Sequence, residues 1–119
     1  MGQQVNGEAI SWNEVVPLHR SQGGISTRDG KVISLLCNQS KSGPYADEVY
    51  EDKIIYSVTK ATLRQGVDAM KRMVGDASPV IVFEKLGKNR WRALGEWQVC
   101  EAAEQDDECL LFLLRPFRS

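Results

Sequence analysis

The sequence predicts an α+β fold in which one main helix packs against a curved, mostly antiparallel β-sheet or barrel. Five or six segments have the composition of strands and are separated by turn signals, whereas one segment has the period of an amphipathic helix. The length of 119 residues suits one domain. We therefore expect a single domain over residues 1–119, in which residues 1–10 are either a flexible lead or a covering segment.

Turn signals and one strand organise the amino-terminal third of the chain. Residues 11–18 are apolar enough to dock on the fold, but Pro17 is expected to limit regular structure there. Gly-Gly at 23–24 and Asp-Gly at 29–30 are turn signals. The segment from Lys31 to Leu36 is apolar and begins with β-branched residues, so it is predicted to be a strand.

A long loop, a second strand and the helix follow. Residues 38–52 are mostly polar, and loops of this length in small domains are functional or disordered. Lys53 to Val58 is predicted to be a strand, and residues 59–74 are predicted to be the helix, because apolar side chains recur at helical spacing. These side chains are Leu63, Val67, Met70 and Val74. Gly66 weakens the helix by about 1 kcal/mol relative to alanine, and Gly-Asp at 75–76 ends it.

Three more strands complete the predicted sheet. They run from Pro79 to Glu84, from Arg90 to Cys100 and from Cys109 to Leu114. Gly95 within the second of them indicates a bulge or a bend. The acidic residues 101–108 are expected to form the turn that joins the last two strands.

The charge of the chain is small but uneven. The formal net charge is −1, and residues 101–108 hold five of the 16 acids and no base. Two of the 15 bases follow residue 100, which leaves 13 bases and 11 acids in residues 1–100. A net charge near zero argues against strong non-specific binding of nucleic acid, although one face of the fold can still be basic.

The cysteines indicate a reducing environment and no metal centre. Cys37, Cys100 and Cys109 are scattered without the spacing of metal ligands, and His19 is the only histidine. We expect buried free thiols, no metal and no cofactor. Neither a membrane-spanning segment nor a signal peptide is recognisable. These features favour a cytoplasmic or nuclear location.

A catalytic constellation is hard to assemble from these residues. Nucleophilic catalysis needs a base beside a serine or cysteine, and His19 lies in a glycine-rich segment with no readable partner. Asp47, Glu48 and Asp52 offer paired acids, but acidic loops are common. The glycines at 23–24 lack the spacing of a phosphate-binding loop. We expect no catalytic activity.

Aromatic residues at strand ends and in loops favour a binding function instead. A ring of the size of a nucleobase can stack on Tyr45 or Tyr56 for roughly 1–3 kcal/mol. Asp47 or Glu48 can accept a hydrogen bond from an exocyclic amine. From spacing alone, a purely structural role remains open, in which Tyr45 packs on Pro44 and Tyr56 fills the core.

A set of short motifs runs in one order along residues 16–117. The motifs are His19-Arg20, Gly24-Ile25, Gly43-Pro44-Tyr45-Ala46-Asp47, Ile55-Tyr56-Ser57, Gly66-Val67-Asp68-Ala69-Met70, Pro79-Val80-Ile81-Val82-Phe83, the aromatic segment from Trp91 to Val99, and Leu111 to Phe117. In this order they resemble the SRA (SET- and RING-associated, or YDG) domain, most of all its short bacterial versions attached to nucleases.

The resemblance implies a fold and a function. SRA domains have a PUA-like fold, a crescent-shaped β-barrel flanked by helices. They bind DNA that contains 5-methylcytosine or 5-hydroxymethylcytosine and flip the modified base into a pocket. The implied partner is therefore double-stranded DNA with a modified base. A nuclease, in a separate domain or chain, is a second implied partner, for which this chain would be the non-catalytic specificity module.

The resemblance also implies the residues of the site. Tyr45 and Tyr56 would sandwich the flipped ring, and Asp47 or the adjacent Glu48 would bond its amine edge. The complete implied base pocket is Tyr45, Asp47, Glu48, Tyr56, Leu36, Cys37, Gly43 and Ser57. The implied DNA-contacting loop, with Gln22 on the part that fills the gap left by the base, is His19, Arg20, Gln22, Gly23 and Arg28.

The chain departs from the SRA pattern in three places. Ser57 and Val58 replace Thr-Gly after the second tyrosine, and the stretch before the helix is too short for a long finger loop. This favours a reader of one modified base that tolerates different sequence contexts. Residues 38–42 resemble an insertion before the pocket, which leaves the choice of modification open.

Three other functions remain open from the sequence. A PUA-like module for RNA or a nucleotide-like ligand would use the same tyrosines. A protein-interaction domain would use residues 101–108, with Trp91 and Trp97 either buried or at the interface. An enzyme would depend on His19.

Overall fold

The structure is a computed structural model that describes residues 9–19, 24–38, 47–59, 64–76, 78–106 and 109–117. In these residues seven strands and two helices follow one another along the chain. They are α1 (Trp12–His19), β1 (Ile25–Arg28), β2 (Lys31–Cys37), β3 (Glu48–Val49), β4 (Ile54–Thr59), α2 (Arg64–Met73), β5 (Val80–Gly87), β6 (Arg90–Asp106) and β7 (Cys109–Pro116). The predicted α+β class is confirmed.

All seven strands belong to one mixed sheet. Its order is β1-β2-β5-β6-β7-β4-β3, and every neighbouring pair is antiparallel except β2 and β5. The sheet is curved, because Gly24, just before β1, lies against the hydroxyl of Tyr56 on β4, near the opposite edge. The prediction of a curved, mostly antiparallel sheet is therefore confirmed.

The sheet carries apolar side chains on both faces. Successive residues of a strand point to opposite faces, and accordingly Leu35 and Leu36 of β2 belong to different clusters. The main core includes Leu35, Tyr56, Phe112 and, from α2, Met70 and Met73. The smaller cluster joins Val15 of α1 to Phe83 and Trp91. Each helix thus covers its own part of the sheet.

Helix α1 continues through Pro17, contrary to the expectation that this proline limits regular structure there. The backbone N–H of Ser11 donates to Oε2 of Glu14 at 3.0 Å, the reciprocal half of a capping box. Val15 is fully buried at the centre of the helix, so packing holds the turn that contains Pro17. The pattern Ser-x-x-Glu at 11–14 was the available signal for this helix.

Helix α2, Arg64–Met73, lies within the segment 59–74 that was predicted to be helical, and Thr59 belongs to β4 instead. Residues 60–63 lie outside the described residues, and Val74 is exposed in the turn beyond the helix. A Cβ at Gly66 would lie 3.2 Å from Cβ of Ile25 on β1. Gly66 therefore allows a close approach of helix and strand, which offsets its low helix propensity.

The acidic segment is the clearest error in the predicted elements. Residues 101–106 continue β6 and pair with β7, and only 107–108, outside the described residues, lie between the strands. Cross-strand pairing with an apolar strand outweighs the poor strand propensity of acidic residues. The predicted irregularity at Gly95 is confirmed, because its φ is +82° and the pairing of β5 with β6 shifts there.

Strands β1 and β3 were not predicted. Asp29 and Gly30 both have positive φ, 54° and 79°, and so form the tight turn of the β1–β2 hairpin that Asp-Gly signals. Strand β3 is only two residues long and lies inside the predicted loop 38–52. No helix among the described residues is long and apolar enough to span a membrane.

Candidate functional site

Asp47 links two strands that are far apart in the sheet order. Its Oδ1 accepts a hydrogen bond from the backbone N–H of Ser57 on β4 at 2.9 Å, and its Oδ2 accepts one from the backbone N–H of Asn38, just after β2, at 2.8 Å. Only 1% of Asp47 is exposed. Two backbone donors offset the desolvation of its buried carboxylate. We call this arrangement the Asp47 clamp.

Tyr56 lies beside the clamp with its ring in the main core. It is 4% exposed, and its hydroxyl is 2.7 Å from the position that a Cβ on Gly24 would occupy. Burial, the negative charge of Asp47 and the nearby thiol of Cys37 raise the pKa of Tyr56 well above its ordinary value of 10.0. The hydroxyl therefore stays protonated at neutral pH and can donate a hydrogen bond.

The end of β2 forms the wall next to Tyr56. Cys37 is fully buried in the main core, the same cluster that holds Tyr56. The side chain of Leu36 points to the other face, but its backbone N–H donates to the carbonyl oxygen of Gly24 at 2.8 Å. Only the backbone of Leu36 therefore faces the site, together with Ser57, which is also buried.

Glu48 has a different environment from the adjacent Asp47. It lies exposed on β3, and its carboxylate accepts a hydrogen bond from the hydroxyl of Tyr50. That charged hydrogen bond raises the pKa of Tyr50. The ammonium group of Lys53 lies 5.2 Å from the centre of the Tyr50 ring. Glu48 is thus the accessible carboxylate at this site, and Asp47 is the buried one.

Of the five predicted DNA-contacting residues, His19 and Arg28 lie in the described part of the chain, and their environments differ. His19 is fully buried, and its Nδ1 shares a hydrogen bond of 2.6 Å with Oγ of Ser34 on β2. It fastens the end of α1 to the sheet. Arg28 is exposed at the turn of the β1–β2 hairpin, whereas Gly24 is at the other end of β1. At about 3.3 Å per residue, Arg28 lies roughly 13 Å from that end.

Five of the predicted site residues lie outside the described residues. They are Arg20, Gln22, Gly23, Gly43 and Tyr45. Their roles stay predictions. The segment that contains Tyr45 joins Asn38 to Asp47, which are the two residues that the clamp holds together.

Sequence reasoning missed the structural half of the site. It gave Asp47 to a ligand, but both carboxylate oxygens are hydrogen-bonded to the backbone. No sequence signal identifies these donors, because every residue type except proline carries a backbone N–H group. It also missed the contact between Gly24 and Tyr56, for which the glycine itself was the only signal. Among the described residues, no group of three potential ligands is arranged to hold a metal ion.

Comparison with known proteins finds the fold and not a close relative. No family model matches the sequence, and no curated protein matches it. Solved structures match over almost the whole chain. The SUVH5 SRA domain in complex with hemimethylated CG DNA is 23% identical, with a TM-score of 0.72 over 98% of this chain and 93% of that one.

Other matching structures agree. The SUVH5 SRA domain with methylated CHH DNA is 24% identical, with a TM-score of 0.73 over 99% of this chain and 91% of that one. The same domain bound to fully hydroxymethylated CG DNA is 21% identical, with a TM-score of 0.68 over 98% of this chain and 93% of that one. SUVH6 of Arabidopsis thaliana in complex with SAM is 18% identical, with a TM-score of 0.69 over 94% of this chain and 25% of that one. The chain therefore has the fold of SRA domains, as the order of its sequence motifs predicted.

Proposed function

We propose that this chain recognises a modified cytosine in double-stranded DNA, of the 5-methylcytosine or 5-hydroxymethylcytosine type, by flipping the base into a pocket beside Tyr56. The observation that carries the proposal is the buried cluster of Tyr56, Cys37 and the Asp47 clamp, where the two ends of the curved sheet meet. The shared fold with domains crystallised on methylated and hydroxymethylated DNA supports it.

The cluster offers the chemistry that a flipped cytosine needs. The neutral ring of Tyr56 supplies one stacking face, and Tyr45 supplies the other in this proposal. The clamp fixes the carboxylate of Asp47, which in this proposal also accepts a hydrogen bond from the exocyclic amine of the base. Glu48 is the alternative acceptor because it is exposed.

Base entry requires an opening step. Tyr56 and Asp47 are only 4% and 1% exposed, so in this proposal the groups that cover them move before a base can stack on Tyr56. Flipping itself costs a few kcal/mol, and stacking contributes roughly 1–3 kcal/mol for each base face. Stacking, edge hydrogen bonds and filling of the gap in the duplex must together exceed both costs.

The module acts without catalysis of its own in this proposal. A nuclease or another effector, in a separate domain or a separate chain, would perform the reaction that recognition triggers. Such a reader works wherever its DNA is, in the nucleus or in a cytoplasm that contains DNA.

Binding to matched duplexes tests the proposal directly. The duplexes carry cytosine, 5-methylcytosine, 5-hydroxymethylcytosine or its glucosylated form at one position, and affinity is measured at low salt. We expect tighter binding to one modified duplex than to the unmodified one. Equal binding to all of them, or none, refutes the proposal. Tighter binding to RNA or to a free nucleoside would favour the PUA-like alternative.

Variants of Tyr45 test the pocket separately from the fold. Tyr45→Ala removes one stacking face and should abolish the preference for modified DNA, whereas Tyr45→Phe keeps the ring and should retain it. Full discrimination by Tyr45→Ala would contradict the pocket assignment. Asp47→Ala is a poor test, because loss of the clamp is expected to destabilise the fold as well.

A further inference from the structure

In the described part of the chain, no strand pairs with the distal half of β6 on the side away from β7. Pairing with β5 begins at Val80 opposite Trp97, so that beyond Trp97 strand β6 pairs only with β7 in the described part of the chain. On the side away from β7, the backbone N–H of Gly75 donates a hydrogen bond to the carbonyl oxygen of Val99 at 3.3 Å. No other backbone hydrogen bond to this side is seen among the described residues. The backbone N–H and carbonyl groups of residues 101–106 that point away from β7 therefore face no described strand. We call residues 101–106 the acidic edge.

No described residue buries residues 101–104 of the acidic edge on either face. Residues 101–104 are all exposed, two glutamates and two alanines, whereas a strand that is packed on one face alternates between buried and exposed residues. An incoming strand would thus meet backbone donors and acceptors beside small or flexible side chains. Extended peptides bind to such edges by adding a strand to the sheet.

The charges of the acidic edge select its partner. Pairing with β7 is regular from Glu101 opposite Leu113 to Glu104 opposite Leu110, so the two glutamates, three residues apart, lie on opposite faces. Like charges directly opposite each other destabilise a strand pair. Acidic side chains here therefore disfavour pairing with other acidic strands, while they favour a basic one.

We propose that the acidic edge binds an extended, basic segment of another protein as an added β-strand. Opposite charges across the pair require two lysines or arginines three residues apart in that segment, one above each face of the sheet. This partner site is independent of the proposed base pocket, because β6 contributes none of the residues assigned to that pocket.

A designed peptide tests the proposal on the intact chain. The probe is a blocked peptide of threonine and valine with two lysines three positions apart, and binding is followed by backbone amide shifts and by calorimetry at low salt. We expect shifts concentrated in residues 101–106. The double variant Glu101→Lys/Glu104→Lys should weaken binding by about tenfold, since two attractive cross-strand pairs become repulsive.

Two controls separate an added strand from simple charge attraction. Glu96→Lys reverses the charge of an exposed acid on the same strand. At Glu96, β5 pairs with one edge of β6 and the backbone of Phe117 bonds to the other, so no strand can be added there and the affinity for the peptide should stay nearly unchanged. A peptide with the same lysines but N-methylated amides cannot donate to the edge and should lose binding to the unaltered protein. Absence of binding by the parent peptide, equal loss with Glu96→Lys, undiminished binding of the methylated peptide, or pairing of the edge with a second copy of the chain would each overturn the proposal.

Discussion

Replacing Gly24 by alanine should force a clash with Tyr56. An alanine Cβ would lie 2.7 Å from the Tyr56 hydroxyl, whereas ordinary contacts begin at 3.4 Å, so one of the two groups must move by about 0.7 Å. Tyr56 is buried in the main core and has little room to move. Overpacking of this kind costs about 1–3 kcal/mol, and we expect Gly24→Ala to lower the free energy of unfolding by that amount.

The same substitution should behave differently when Tyr56 is phenylalanine. Without the hydroxyl, the next atom near the new Cβ is the carbonyl oxygen of Leu36 at 3.7 Å, which is an ordinary contact. Gly24 lies outside the positive-φ region, so alanine then brings only the usual gain of about 0.4–1 kcal/mol from a less flexible unfolded chain. The substitution should therefore change from destabilising to neutral or stabilising.

Urea unfolding of the four proteins in this double-mutant cycle measures the coupling, with tryptophan fluorescence as the signal. We expect a coupling energy of about 1.4–4 kcal/mol between the two positions, because the loss in one background and the gain in the other add in the cycle. Gly87→Ala is the matched control, because a Cβ there meets nothing within 4 Å and the residue has no positive φ. Equal effects of Gly24→Ala in both backgrounds would refute the claim that the hydroxyl of Tyr56 lies directly against Gly24.

Three further predictions address the clamp, the tyrosine and the charge. Asp47→Asn replaces one carboxylate acceptor by an amide donor, so one buried backbone N–H loses its partner and stability should fall by about 1–3 kcal/mol; the exposed Asp52→Asn is the control in thermal unfolding, and equal effects would argue against the clamp. Because the folded pKa of Tyr56 is raised, its contribution to stability is complete below pH 10 and is lost as the pH rises from there through the folded pKa; the stability of Tyr56→Phe should decline less between pH 10 and the alkaline unfolding limit, and parallel curves would contradict the shift. Because the net charge of the chain is −1, we expect few phosphate contacts, each of which adds about 0.9 to the slope of log affinity against log salt concentration. The slope, measured by DNA titration at several salt concentrations, should therefore be shallow, and a steep slope would reveal a basic face that the net charge conceals.

Sequence patterns predicted the elements that local chemistry specifies. The strand after Asp-Gly, the amphipathic period of the main helix and the bend at Gly95 all depend on residues within a few positions of each other. The order of the short motifs along the chain predicted the overall fold, which no single motif could have predicted. Helix α1 was not predicted although its capping box is visible in the sequence, because Pro17 disfavours a helix and the burial of Val15 that stabilises it depends on tertiary packing.

The errors arose where distant parts of the chain meet. The acidic segment extends as a strand because β7 pairs with it, and acidic composition alone favoured a turn. Asp47 holds backbone groups nine and ten residues away, and only the curvature of the sheet brings these together. A carboxylate assigned to a ligand by motif can therefore serve the fold as well.

The clamp also fixes the two points of the chain that residues 39–46 connect. One carboxylate fixes the departure of the chain at Asn38 and its return at Asp47, and both donors that it engages are backbone groups. The two hydrogen bonds of the clamp use the carboxylate of Asp47 and the backbone of Asn38 and Ser57, and doubling the length of a loop costs only about 0.6 kcal/mol of closure entropy. Loops of other lengths and compositions can thus be grafted between these two points, so that the preference for a ligand can diverge while the sheet stays the same.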